Sequence, residues 1–177
     1  MLTVEEFLAW EERQEARYDF DGFRPVAMTG GTIAHEIIGR NLRTALDSQV
    51  RGSRCQTLGP NTKIEVAGRM RYPDALVVCS AVERKATVVG DPVIVSEVLS
   101  DSTAMVDYSE KLREYTAAPS IQRYVIVAQD RIAATIFVRD GARMVVETVA
   151  GGGALMLPEV GSRDRDSARR ALPGRRA

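Results

Sequence analysis

Two stretches of this 177-residue chain are apolar at consecutive positions, Ala75–Cys79 and Pro92–Val95. Such runs are too short to span a membrane and suit strands covered on both faces. The chain must therefore build a sheet with material on either side. Each strand segment also carries one misplaced charge: Asp74 stands at the mouth of Tyr72–Cys79 and Glu97 near the end of Pro92–Leu99. An ionised carboxylate buried without a partner costs about several kcal/mol, so it demands a cation, a hydrogen-bond network or a shifted pKa. If the strands pair antiparallel, setting Asp74 opposite Glu97 also sets Cys79 opposite Pro92 and leaves residues 80–91 as the connection. Two adjacent anions repel, and a divalent cation resolves the repulsion. All-oxygen ligation suits Mg²⁺ or Mn²⁺. Read singly, Asp74 is a turn residue after proline and Glu97 an edge-strand glutamate facing solvent. The common register joins them.

Around this pair the hydrophobic period predicts an α+β order. Thr3-Val-Glu-Glu6 is a capping box opening a helix to about Arg17. Asp21-Gly22 turns a hairpin, and a second helix follows Gly30-Gly31-Thr32, with Ile33, Ile37, Ile38, Leu42, Ala45 and Leu46 at helical spacing. Strands are expected over 53–58, 63–66, 72–79 and 92–99, then a helix from about Ser102 to Ala118, stopped by Pro119. Three more strands begin at Arg123, Ile132 and Met144, and Gly151-Gly152-Gly153 ends the regular pattern. Residues 1–161 form one domain in this reading, and 162–177 an arginine-rich tail expected to be disordered.

Composition is ordinary for a globular chain, with 45% apolar and 27% charged residues, which excludes a disordered or fibrous chain. The net charge of zero argues against binding nucleic acid by bulk charge, yet 163–177 carry six arginines against two aspartates. The acidic start has no secretory pattern. Two cysteines, Cys55 and Cys79, and one histidine make neither a disulfide framework nor a zinc site, and the expectation is a cytoplasmic protein with reduced thiols.

Lysine is scarce: Lys63, Lys85 and Lys111 among 24 basic residues. Asp107, Lys111 and Tyr115 fall on one helical stripe, either as an exposed ion pair or as a lysine aimed at the carboxylates; Asp107-x-x-Glu110 equally reads as a capping box. His35, at the start of the second helix, is either a surface residue or a group placed to contact phosphate or orient a site carboxylate.

These residues resemble a known pattern. A Pro-Asp on one strand, Glu-x-[Leu/Val] on the next and a basic helix after it resemble the PD-(D/E)XK nuclease superfamily. More closely, the chain resembles the Uma-two family of bacterial endonucleases. The matching segments are Thr3-Val-Glu-Glu-Phe-Leu, Tyr18-Asp-Phe-Asp-Gly, Gly31-Thr-Ile-Ala-His35, Tyr72-Pro-Asp-Ala-Leu-Val-Val, Val95-Ser-Glu-Val-Leu-Ser-Asp-Ser-Thr103, Asp107-x-x-x-Lys111-x-x-x-Tyr115 and Pro119-Ser-Ile-Gln-Arg-Tyr-Val-Ile-Val-Ala. The resemblance implies a restriction endonuclease-like core, a central mixed sheet flanked by helices. It implies metal-dependent hydrolysis of DNA, with Mg²⁺ or Mn²⁺ on Asp74, Glu97 and the carbonyl of Val98, and a possible homodimer. The superfamily's strand lysine falls at Leu99 here, and Lys111 stands in for it. Asp19 replaces a frequent glutamate, Ser96 is polar in an apolar strand, and the arginine tail replaces the usual closing segment, which bears on any dimer contact. The competing reading is an inactive nuclease fold that binds DNA or protein.

Overall fold

The two apolar runs lie side by side in the computed structural model, which describes residues 2–28, 30–100, 104–150 and 157–161. β6 (Ala75–Val78) and β8 (Pro92–Val98) are antiparallel, with Ala75 opposite Ser96, Leu76 opposite Val95 and Val77 opposite Ile94. Continued by one step, this register sets Asp74 against Glu97, as expected. Past Val77 a bulge moves Pro92 opposite Val78, so the straight pairing of Cys79 with Pro92 is lost. β6 is shorter than the expected 72–79: it begins only after Pro73, which has no N–H for a ladder, and ends at Val78, past the bulge. All of β6 is buried, and all of β8 except Val93.

These strands sit within a six-stranded sheet ordered β11 (Arg143–Ala150), β10 (Ala133–Asp140), β9 (Arg123–Val127), β8, β6, β3 (Gln56–Leu58), in which only β8 and β9 run parallel. Alternation along the strands separates two cores. Ala75, Val77 and Ile94 face Leu46 and Val50 of α2 (Ile33–Val50). Leu76, Val78 and Val95 face the other way, onto Tyr115. Tyr115 belongs to α3 (Leu112–Ala117), which continues a π-helical turn over Val106–Lys111. The expected single helix is thus wound at two pitches, and its first turn, 101–103, lies outside the described residues.

A second sheet was not legible as such. It is ordered β2 (Pro25–Ala27), β1 (Tyr18–Phe20), β5 (Arg69–Arg71), β4 (Lys63–Val66), β7 (Val88–Val89). The expected hairpin and the strand at 63–66 are present; β5 and β7 escape a periodicity argument, since one is Arg-Met-Arg and the other two residues long. α1 (Val4–Glu11) has the expected capping box, and Phe7 packs on Phe20 and Met70. It stops at Glu11 rather than Arg17, because no large apolar residue follows Trp10 and Glu11 itself turns inward to Lys63 and Tyr72. Regular structure resumes after the glycine run in α4 (Pro158–Gly161), where Leu157 and Val160 join the α2 core. The arginine tail, 162–177, lies outside the described residues, as do 151–156. No helix among the described residues is long and apolar enough to cross a membrane.

The expectation of reduced thiols is overturned. β3 pairs with β6 so that Gln56 lies opposite Val78, and one step further Cys55 and Cys79 meet with Cα atoms 4.0 Å apart and are disulfide-bonded. Cross-linking residues 24 apart lowers the entropy of the unfolded chain, worth about 3 kcal/mol in the loop-closure view. Urea unfolding with and without a thiol reductant should differ by about that amount; coincident curves would remove the disulfide from the account of stability.

Candidate active site

Asp74 ends the loop entering β6, and its side chain caps the end of β8: Oδ2 accepts a 2.7 Å hydrogen bond from the Val98 amide. His35 Nε2 lies 3.2 Å from the same oxygen. The histidine arrives there because Thr32 caps α2, accepting from the His35 amide at 3.1 Å and donating to Gln129 Oε1 at 3.1 Å. Gln129 in turn donates to the Leu99 carbonyl at 2.7 Å, so the helix start is tied to the end of β8. Arg43, one face further along α2, donates to the Asp74 carbonyl at 3.3 Å. His35 is therefore placed against the Asp74 carboxylate, with 21% of its side chain exposed, rather than free on the surface.

Glu97 is 4% exposed, not a solvent-facing edge residue. Its Oε1 accepts from Lys111 Nζ at 2.8 Å and from the Tyr115 hydroxyl at 3.0 Å. Lys111 also lies 3.0 Å from Asp107 Oδ1, and both are buried, so the exposed ion pair is excluded. The Tyr124 hydroxyl donates to the Asp107 carbonyl at 3.1 Å. The π-helical turn over Val106–Lys111 brings Asp107 and Lys111 inward together, and such turns concentrate at functional sites.

Burial sets the proton affinities. It pushes the Glu97 carboxyl up to about 8; Lys111 opposes the rise, and Asp74 and Asp107 add to it. Burial raises Asp74 likewise, against the Val98 amide, His35 and Lys111. Burial works to strip the proton from Lys111, yet Glu97 and Asp107 outweigh it and its pKa is raised. Tyr115 and Tyr124 are raised by burial and then by Glu97, so both remain hydroxyl donors at neutral pH.

The structure thus gathers Asp74, Glu97, Lys111, His35 and Tyr115 at one end of β6 and β8, with Val98 contributing its amide. Sequence reasoning missed Arg43 and Tyr124. The position of Arg43 two turns after Glu36, to which it is paired at 3.1 Å, was the available signal for the first. Ser96 is fully buried on the α2 face with no hydrogen-bond partner for its hydroxyl. Leu99 is partly buried and packs against the core cluster that includes Tyr115. Among the described residues no three His, Cys, Asp or Glu side chains form a ready-made metal cage. Among the described residues, Asp74 is contacted on Oδ2, by the Val98 amide and His35, and Glu97 on Oε1, by Lys111 and Tyr115. The other oxygen of each acid has no partner among those residues, a donor set that fits a hard divalent cation completing its shell with water.

A family model described as "Uma2: Putative restriction endonuclease" matches residues 4–165. The chain belongs to the Uma2 family. This Uma2 chain is 34% identical over 134 residues to the uncharacterized protein slr1290 of Synechocystis, covering 74% of this chain and 70% of that one. It is 24% identical over 134 residues to sll1609 of the same organism, also uncharacterized, covering 73% and 76%. Its fold matches a crystal structure described as a putative nuclease belonging to DUF820 from Anabaena variabilis, with a TM-score of 0.74 over 92% of both chains at 14% identity. The α+β, nuclease-like architecture expected of Uma2 is therefore observed.

Proposed function

We propose that this Uma2 protein is a divalent-metal-dependent endonuclease that hydrolyses DNA phosphodiester bonds. The observation that carries the reading is the buried Lys111–Glu97 contact at 2.8 Å beside Asp74, a cation and two acids placed together at a strand end. Family membership and the fold support the reaction class. Asp74 and Glu97, with the Val98 carbonyl, would hold Mg²⁺ or Mn²⁺, which when bound supplies an acidified water and offsets phosphate charge.

The chain's own groups divide the remaining work. His35 orients Asp74 through Oδ2. Lys111 and Tyr115 fix one oxygen of Glu97 and so present the other. The raised pKa of Lys111 keeps it an ammonium at neutral pH, which favours stabilising the phosphate's developing charge over abstracting a proton from water. An inactive nuclease fold is the competing reading, and the residue that favours it is Leu99 at the usual lysine place.

The deciding experiment is nicking of supercoiled plasmid with Mn²⁺ and with EDTA, alongside thermal unfolding. The protein should nick only with Mn²⁺. Its midpoint should also rise by about 5 °C or more at a hundredfold excess over Kd. DNA binding without nicking or a metal-dependent shift would favour the inactive module.

A further inference from the structure

Glu114 lies three residues beyond Lys111 and directly before Tyr115, is 1% exposed, and touches neither carboxylate of the site. Its partner is Arg71, 3% exposed, the last residue of β5 and three residues ahead of Asp74. Every guanidinium nitrogen is engaged: Nε donates to Glu114 Oε2 at 2.8 Å, Nη2 to Glu114 Oε1 at 2.7 Å and Nη1 to Asp19 Oδ2 at 3.3 Å. Arg69 Nε stands 3.0 Å from the same Glu114 oxygen, and Asp19 accepts from the Tyr72 amide at 3.1 Å.

Such a pair is a poor means of gaining stability, because apolar replacement of both partners is often neutral or stabilising. Two parallel N–H···O bonds instead fix an orientation. Here they join the strand running into Pro73-Asp74 to the helix carrying Lys111 and Tyr115. Those two side chains both end on Glu97 Oε1, on the other sheet. α3 is thus gripped from the five-stranded sheet while it works on the six-stranded one.

We propose that the Arg71–Glu114 fork is a positioning device that sets Lys111 and Tyr115 at hydrogen-bonding distance from Glu97. The proposal rests on the nuclease reading of the site, and Arg71 and Glu114 act through Lys111 rather than on substrate.

The test is the double variant Arg71→Met/Glu114→Leu. It should fold, with a midpoint lowered by no more than about 10 °C, since Asp19 and Arg69, which each lose a partner, are part-exposed and can turn to water. Its plasmid KM should stay within about twofold while Mn²⁺ affinity and kcat each fall about 10- to 100-fold, because Lys111 and Tyr115 no longer fix Glu97. An unchanged kcat in the folded double variant overturns the proposal. Should it fail to fold, Arg71→Lys, which keeps the charge but not the fork, is read by the same criteria. A second readout needs no activity. With three lysines in the chain, ¹⁵N-lysine labelling gives three ammonium signals, assigned by Lys→Arg exchange. The protected Lys111 signal should be lost from the double variant and from Arg71→Lys. If the parent does not nick DNA, the nuclease reading fails and this signal still decides: retained unchanged, it overturns the fork's role.

Discussion

Glu97→Gln should fold, lose at least about 100-fold in Mn²⁺ affinity and nick plasmid correspondingly slowly, a loss at or beyond that expected for a ligand's outer partners. Asp74→Ala should behave alike. Glutamine keeps the shape of the side chain and the hydrogen bonds to its carbonyl oxygen, so the effect isolates the charge. The dependence on pH follows from the environment of Glu97. Its carboxyl retains a proton up to about pH 8 because burial disfavours the anion. A cation must displace that proton, so metal affinity should rise by about tenfold per pH unit below about 8 and level off above it. Calorimetric titration with Mn²⁺ from pH 6 to 9, in two buffers of different ionisation enthalpy, measures both the affinity and the proton released. Affinity independent of pH, or retained in Glu97→Gln, removes Glu97 from the metal site.

The same group shapes stability without metal. Its pKa is higher folded than unfolded, so its contribution is fully present below the ordinary carboxylate value of 4.5 and is lost as pH rises through about 8. Across that window the parent should lose stability in metal-free buffer, and Glu97→Gln should show a flatter profile.

Lys111→Met should cut nicking about 10²–10³-fold, the usual consequence of removing one charged or hydrogen-bonding stabiliser of a transition state. It should also cost stability, by up to about 3–5 kcal/mol, at pH above the parent's value of about 8, because without Lys111 the Glu97 carboxyl holds its proton to higher pH and becomes a buried, unpaired anion beside Asp107 only once that proton leaves. The cost should shrink at lower pH as Glu97 takes up its proton. Adding Glu97→Gln to Lys111→Met should recover most of the lost stability and none of the activity. Denaturation at pH 6 and 9 on the two variants separates the electrostatic account from simple loss of lysine packing, which has no such pH dependence.

Much of this site could be read from the chain, because β periodicity is a local property. Consecutive apolar residues at 75–79 and 92–95 identified strands buried on both sides. One register then fixed the neighbour of Asp74 as Glu97, since a slip of one residue turns every side chain to the opposite face. Helical spacing placed Lys111 and Tyr115 on one stripe by the same kind of argument. Those inferences need only the geometry of one element or one pair.

What they could not supply was the partner of each element across the fold. Cys55 and Cys79 meet because a third strand, β3, adds to the far edge of β6. Asp107 turned from a surface residue into a buried one because Val106–Lys111 winds as a π-turn under Tyr124. Arg71 and Glu114 look like solvated charges in sequence and are sealed together by a second sheet whose strands are too short to announce themselves. The order of residues determined which faces are apolar and where the carboxylates stand on their strands. Only chain closure in three dimensions decided which buried charges meet, because burial and long-range pairing are properties of the assembled layers and leave no period along the chain.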